Sequence, residues 1–143
     1  MNKSMKGFTL IELVVVITIL GILAAFAIPR FANLEVEARI AAVQGLGGSV
    51  RSAATLAHSL SLAQGIAPGA SVTMEGQTIT MVERYPQDAS IDDTLVDFTG
   101  FDNSTAGLFT KVGATTPATC SVTYAEPTGA NLPPTISVQV AGC

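Results

Sequence analysis

From Phe8 to Ile28 the chain runs for 21 residues with only Thr9, Glu12 and Thr18 interrupting its apolar character. A helix of that length spans about 31 Å at about 1.5 Å per residue, enough to cross a bilayer core of about 30 Å. Lys3 and Lys6 precede the run, and Arg30 and Arg39 follow it, offset by Glu35 and Glu37. Acidic residues count for little in fixing orientation, so the bias towards an inside amino terminus is slight but real. Glu12 is the constraint that needs an explanation. A carboxylate within a membrane span costs free energy and is normally there for a function, with a partner to be named.

Composition follows from this segment. Hydrophobic residues make up 48%, charged residues 13%, and the mean hydropathy is +0.49. A typical soluble domain has about 25% charged residues, and much of the excess here lies in the first 30 positions. The 143 residues suffice for one core and not comfortably for two. Net charge is −4, and loss of the first seven residues with Lys3 and Lys6 leaves five basic against eleven acidic side chains, or −6. An acidic surface of this kind argues against a nucleic-acid partner held by its phosphates.

Two processing routes fit the amino terminus. A secretory signal would be cut after Ala27, at Ala25-Phe26-Ala27. That route needs an apolar region longer than usual, sets Pro29 two residues past the cut and leaves Glu12 without purpose. The other route comes from a resemblance. The stretch GFTLIELVVVITILGILAAFAIP, Gly7 to Pro29, resembles the amino-terminal signature of type IV pilins and of the pseudopilins of type II secretion, and the short leader MNKSMKG resembles the type IVa class.

The resemblance implies cleavage after Gly7 by a prepilin peptidase on the cytoplasmic side, N-methylation of the new terminus Phe8, and retention of the helix. Cleavage creates an amine on Phe8, four residues before Glu12. One helix could pair the two internally; the resemblance implies instead that Glu12 meets the Phe8 amine of a neighbouring subunit, so that processing licenses assembly. Gly21 and Pro29 are the other assembly positions. Pro29 lacks an N–H and is expected to kink or loosen the helix, and Gly21 weakens it by about 1 kcal/mol. The resemblance implies that the stretch between them can lose helicity within a filament. Gly21, Ala24, Ala25 and Ala27 would also permit close helix packing.

Beyond Pro29 the pattern turns amphipathic. Phe31, Leu34, Ala38, Ala41 or Ala42, Leu46, Val50, Ala53, Ala57 and Leu60 recur at spacings of three or four, which predicts one helix from about Phe8 to about Ala63. Ser71–Met81 reads as a hairpin turning at Glu75-Gly76. Ser90 to Phe98 reads as a short helix capped by Ser90, with Ile91, Leu95 and Phe98 on its buried face. Leu108–Val112 reads as a strand. Cys120 opens one period-two segment and Cys143 closes another. An even cysteine count outside the cytosol favours a disulfide, and a carboxyl-terminal disulfide is similar to that of pilins. Pairing the two residues would set Val122 opposite Ala141 and Tyr124 opposite Gln139, with the Glu126–Pro134 loop as a surface for subunit or host contacts.

Catalytic patterns are missing. Gly45 to Gly48 follows no strand and lacks the last glycine of a dinucleotide fingerprint. His58 is the single histidine, without a nucleophile or metal-ligand company, and is expected at the rim. Asp88, Asp92, Asp93, Asp97 and Asp102 lack EF-hand spacing and read as a solvated acidic face. No enzyme activity, cofactor or metal is expected. The sequence as a whole implies an α+β pilin fold: leader 1–7, assembly helix 8–29 with its hydrophobic half projecting, and globular head 30–143 with a helix on an antiparallel sheet. The implied function is that of a filament subunit, held in the inner membrane with its amino terminus inside before assembly and extracellular afterwards. Its partners would be copies of itself, the peptidase and N-methyltransferase, the inner-membrane assembly machinery, and a host or surface ligand. The segment PRFANLEVEARIAAVQGLGGSVRSAA and Tyr85-Pro86 are similar to mannose-sensitive-haemagglutinin (MSHA)-type pilins; a minor pilin or pseudopilin is the alternative.

Overall fold

The computed structural model describes residues 8–143, so Gly7 and the leader it closes lie outside the described residues. The chain divides into two compact units, with the boundary between Val36 and Glu37.

Helix α1 (Leu10–Ala63) is 54 residues long and continues through Pro29. The helical assignment is thus unbroken at that proline. A proline inside a helix removes one donor, and the bonds of its neighbours carry the helix across the gap. The helix ends at Gln64-Gly65, with Gly65 at a φ of 62° and its N–H donated to the Leu62 carbonyl at 3.1 Å. That is the left-handed stop that glycine supplies at low cost.

In the second unit the buried apolar face of α1 is Val43, Leu46, Val50, Ala53, Ala54 and Ala57. Ala38, Ala41 and Ala42 are exposed. The expected stripe is therefore corrected at its start, where Ile40 and Val43 replace the alanines because they bring more apolar surface to the core.

Eight short strands follow. β1 (Val72–Met74) and β2 (Gln77–Ile79) form the expected hairpin, with Glu75 and Gly76 both at positive φ, 48° and 83°. This is the two-residue turn that matches strand twist. β3 (Met81–Val82) pairs with β4 (Tyr85–Pro86) through a second such turn, Glu83-Arg84, at φ values of 49° and 71°. The main sheet is an antiparallel meander, β5 (Phe101–Thr105), β6 (Leu108–Lys111), β7 (Ser121–Ala125) and β8 (Thr135–Gln139), in that order.

Val43, Leu46, Val50 and Ala54 pack with Ile91, Phe109, Val122 and Tyr124 into one core, which also holds both cysteines. Ala57 packs with Val72, Ile79 and Met81 into a second. Gly47 is where helix and sheet come nearest: a Cβ there would lie 2.6 Å from Val138 Cγ2. Of the three glycines in that turn of α1, Gly47 makes the packing contact, while Gly45 and Gly48 meet open space. The unit is the α+β pilin fold, a helix laid on an antiparallel sheet and closed by a disulfide.

Two local expectations are corrected. The segment after Gln87 forms two 3-10 turns, Asp88–Ser90 and Asp92–Thr94, in place of one short helix, and Ser90 caps neither. Ile91 is buried and Leu95 and Phe98 are partly buried, as the pattern implies, but Asp88 and Asp92 hydrogen-bond to Glu126 and Asn103 on other elements. The β7–β8 register also differs. Val122 faces Val138 and Tyr124 faces Ile136. β8 stops at Gln139, and Val140–Cys143 folds into a turn closed by Cys143 N–H to the Val140 carbonyl at 3.2 Å. That turn uses the residues that a straight ladder would have paired.

Candidate assembly site

In the first unit, the described segment begins with Phe8, which is 78% exposed. Thr9 and Glu12 then close on each other. Glu12 Oε2 accepts from the Thr9 N–H at 2.8 Å and from Thr9 Oγ1 at 2.7 Å, while the Glu12 N–H donates to Thr9 Oγ1 at 3.3 Å. This is a reciprocal capping box, which satisfies donors that a helix start leaves open. The sequence reading missed it, although Thr-x-x-Glu before an apolar run is the signal for it.

Every Phe, Leu, Ile and Val from Phe8 to Leu34 is exposed. No part of the most apolar window of α1 is buried within the chain. Such a surface belongs against lipid or against other chains. Thr18 removes its own polarity by donating its hydroxyl to the Val14 carbonyl. A Cβ added at Gly21 would meet nothing within 4 Å, so that face is open to close approach.

In the second unit, Cys120 and Cys143 form a disulfide with a Cα–Cα distance of 4.8 Å, and both are buried. Arg39 holds the same corner: its Nε donates to the Cys143 carbonyl at 2.5 Å and its Nη1 to the Gly113 carbonyl at 3.3 Å. The Glu126–Pro134 loop is anchored at its start by a second reciprocal pair. The Asp88 N–H donates to Glu126 Oε2 at 3.0 Å, and the Glu126 N–H donates to Asp88 Oδ1 at 2.7 Å. Tyr124, buried beside them, donates its hydroxyl to the Pro86 carbonyl at 2.6 Å. Burial raises its pKa well above the usual phenol range, with the charges of Asp88 and Glu126 adding to the shift.

The remaining acids do not converge. Asp92 accepts from Asn103, Asp97 from Thr99 and Asp102 from Ser104. The Thr99 hydroxyl and N–H hold the Asp97 carboxyl below its ordinary range. Among the described residues no group of three or more histidine, cysteine or acidic side chains comes together for a metal. His58 lies partly buried at the rim, its ring stacked on Tyr85 with centroids 4.1 Å apart and its Nδ1 3.1 Å from the Arg84 carbonyl. A carbonyl oxygen can only accept, so Nδ1 carries the proton.

Comparison with known proteins places these features. Residues 2–28 match the family model described as the prokaryotic N-terminal methylation motif. The chain is 54% identical over 52 residues to the type IV narrow pilus major component PilA5 of Thermus thermophilus, a match covering 36% of this chain and 45% of that protein. It is 45% identical over 53 residues to the type IV major fimbrial protein FimA of Dichelobacter nodosus, covering 37% and 34%. It is 46% identical over 55 residues to the type IV major pilin PilE1 of Neisseria gonorrhoeae, covering 38% and 33%. The chain thus spans less than half the length of the curated relatives it matches. No solved structure matches it. The amino terminus is of the type IV prepilin kind, and the likeness is to major pilins.

Proposed function

We propose that the chain is the structural subunit of a type IV pilus, cut between Gly7 and Phe8, N-methylated at Phe8 and polymerised into a surface filament for adhesion. The observation that carries this reading is the uncovered apolar surface from Phe8 to Leu34, which begins inside the methylation motif. Each such side chain contributes about 1.5–3 kcal/mol when it leaves water. The inner membrane covers this surface before assembly, with the amino terminus inside, and neighbouring subunits cover it afterwards.

Glu12 changes partner in this scheme. In the uncut chain it accepts from the Thr9 N–H and hydroxyl. After cleavage it meets the charged Phe8 amine of the next subunit, a pair available only to processed chains. Gly21 and Pro29 supply the thin, weakened part of the helix where packed subunits adjust. The assignment to the haemagglutinin-type pili used in attachment rests on the residues after Pro29 and on Tyr85-Pro86.

The test is intact mass and amino-terminal sequencing of protein sheared from the cell surface, with and without reduction. N-methylated phenylalanine at Phe8, and a two-proton mass increase on reduction, is the expected result. A chain starting at Ile28 would sink the proposal, because Glu12 would then belong to a discarded signal.

A further inference from the structure

A groove runs along the second unit with α1 on one side and the Pro133-Pro134 end of the disulfide loop on the other. One depression of about 340 Å³ is lined by Arg51, Ala54, Thr55, Tyr85, Pro133 and Ile136 among others. It continues past Tyr85 and Pro133 into a second of about 520 Å³, which adds His58, Arg84 and Asn131. Tyr85 and Pro133 border both depressions.

The charge here runs against the rest of the molecule. From Glu37 onward there are four basic and nine acidic side chains. Arg39 is engaged with main-chain oxygens, as is Lys111, whose Nζ donates to the Gly100 carbonyl at 2.8 Å. The other two, Arg51 and Arg84, both line the groove, where the one acid is Glu83. The Arg51 side chain is exposed, and its guanidinium makes no hydrogen bond or ion pair among the described residues. Arg84 spends one nitrogen on Ser61, at 3.4 Å to the carbonyl and 3.5 Å to the hydroxyl, and keeps its other donors.

We propose that this groove binds a carboxylate-bearing saccharide, its acid groups on Arg51 and Arg84 and a sugar ring against Tyr85. The proposal rests on the reading of the chain as a surface filament subunit and gives that surface a ligand class. A guanidinium presents paired donors that match a carboxylate. Tyr85 offers a flat apolar face with a hydroxyl at its edge, and the ring is held in place by the stacked His58. The C–H face of a sugar ring can lie on such a platform while its carboxylate reaches a guanidinium, whereas an acidic side chain brings only a short methylene stem. Thr55 and Asn131 add hydroxyl and amide groups for the sugar's own hydroxyls.

The experiment measures binding of oligogalacturonate, neutral oligogalactose and polyglutamate to sheared filaments and to detergent-solubilised full-length subunits. The expected result is binding of oligogalacturonate alone, in both forms, weakened at least tenfold by Arg51→Gln and by Tyr85→Leu and reduced by added salt. Arg51→Gln carries the test, because Arg84 also braces Ser61 and its replacement can disturb the fold. Unaltered thermal unfolding of Arg51→Gln completes the support. Equal binding of polyglutamate, no binding of oligogalacturonate, or an unchanged affinity in Arg51→Gln overturns the proposal. Binding by subunits but not filaments also overturns it, since the groove would then be covered by neighbouring copies. If no filaments form while subunits bind as expected, the filament reading fails and the site stands.

Discussion

Glu12 has a partner before any neighbour arrives, and this separates two explanations of the residue that its position alone left entangled. As the acid of a capping box, three residues after the cap, it could be replaced by glutamine with little loss; as the acid of an intersubunit ion pair it could not. Glu12→Leu is expected to be cleaved and methylated normally but to yield at least tenfold fewer filaments, since an unpaired buried charge typically costs about 3–5 kcal/mol. Filament yield from Glu12→Gln decides between the roles. A yield as low as that of Glu12→Leu identifies charge as the requirement, and a wild-type yield reduces Glu12 to a cap. Tyr124 is a second residue whose chemistry is set by its surroundings. Tyr124→Phe leaves the Pro86 carbonyl without its donor and is expected to lose about 1–3 kcal/mol, read from denaturant unfolding. Because burial raises the folded pKa of Tyr124, the unfolded chain releases this proton first. Stability should therefore hold below about pH 10 and fall as pH rises from there towards the folded pKa. The Tyr124→Phe variant should lack that part of the alkaline loss.

At the scale of elements, the disulfide and the two reciprocal hydrogen-bonded pairs fix where segments begin and end. The Cys120–Cys143 bond encloses the β7–β8 pair, over a separation of 23 residues. Replacing both cysteines with alanine is expected to cost about 3 kcal/mol by the loop-entropy relation, visible as a lower denaturant midpoint with an undiminished β signal at zero denaturant. Long periodic elements were legible in the sequence. Leu46, Val50 and Ala57 mark the buried face of α1, and Glu75-Gly76 marks its hairpin. Short elements were not. β3 and β4 have two residues each, too few for a period, and their turn uses Glu83 and Arg84 at positive φ, where the residue types give no warning. Ser90 to Phe98 has the spacing of a helix, but the carboxylates of Asp88 and Asp92 bond to the Glu126 N–H and Asn103, contacts that no local pattern records. The residues proposed for assembly could be named from sequence because they sit in a contiguous motif. The groove was not, because Arg51, Arg84 and Pro133 are distant in the chain and meet only after folding.

At the scale of the whole molecule the two units have opposite requirements. The first exposes its apolar side chains, while the second from Glu37 onward has its own core and its own disulfide. A chain lacking residues 1–28 is expected to remain monomeric without detergent in light scattering and to form no filaments. Its near-ultraviolet spectrum should match that of the detergent-held full-length chain. Aggregation of the shortened chain would mean that the apolar segment also serves the fold of the second unit. The sealed ring formed by β7, β8 and the disulfide has a further consequence. The Glu126–Pro134 segment is tethered at Glu126 through Asp88, and the ring around it is closed by Cys120–Cys143. Doubling the length of such a loop costs only about 0.6 kcal/mol in closure entropy. Insertions and replacements there can accumulate without unfolding what lies beneath. The scaffold and the loop can therefore diverge at different speeds, so a lineage of such chains could keep its architecture while changing the face it turns to an antibody or a new substratum.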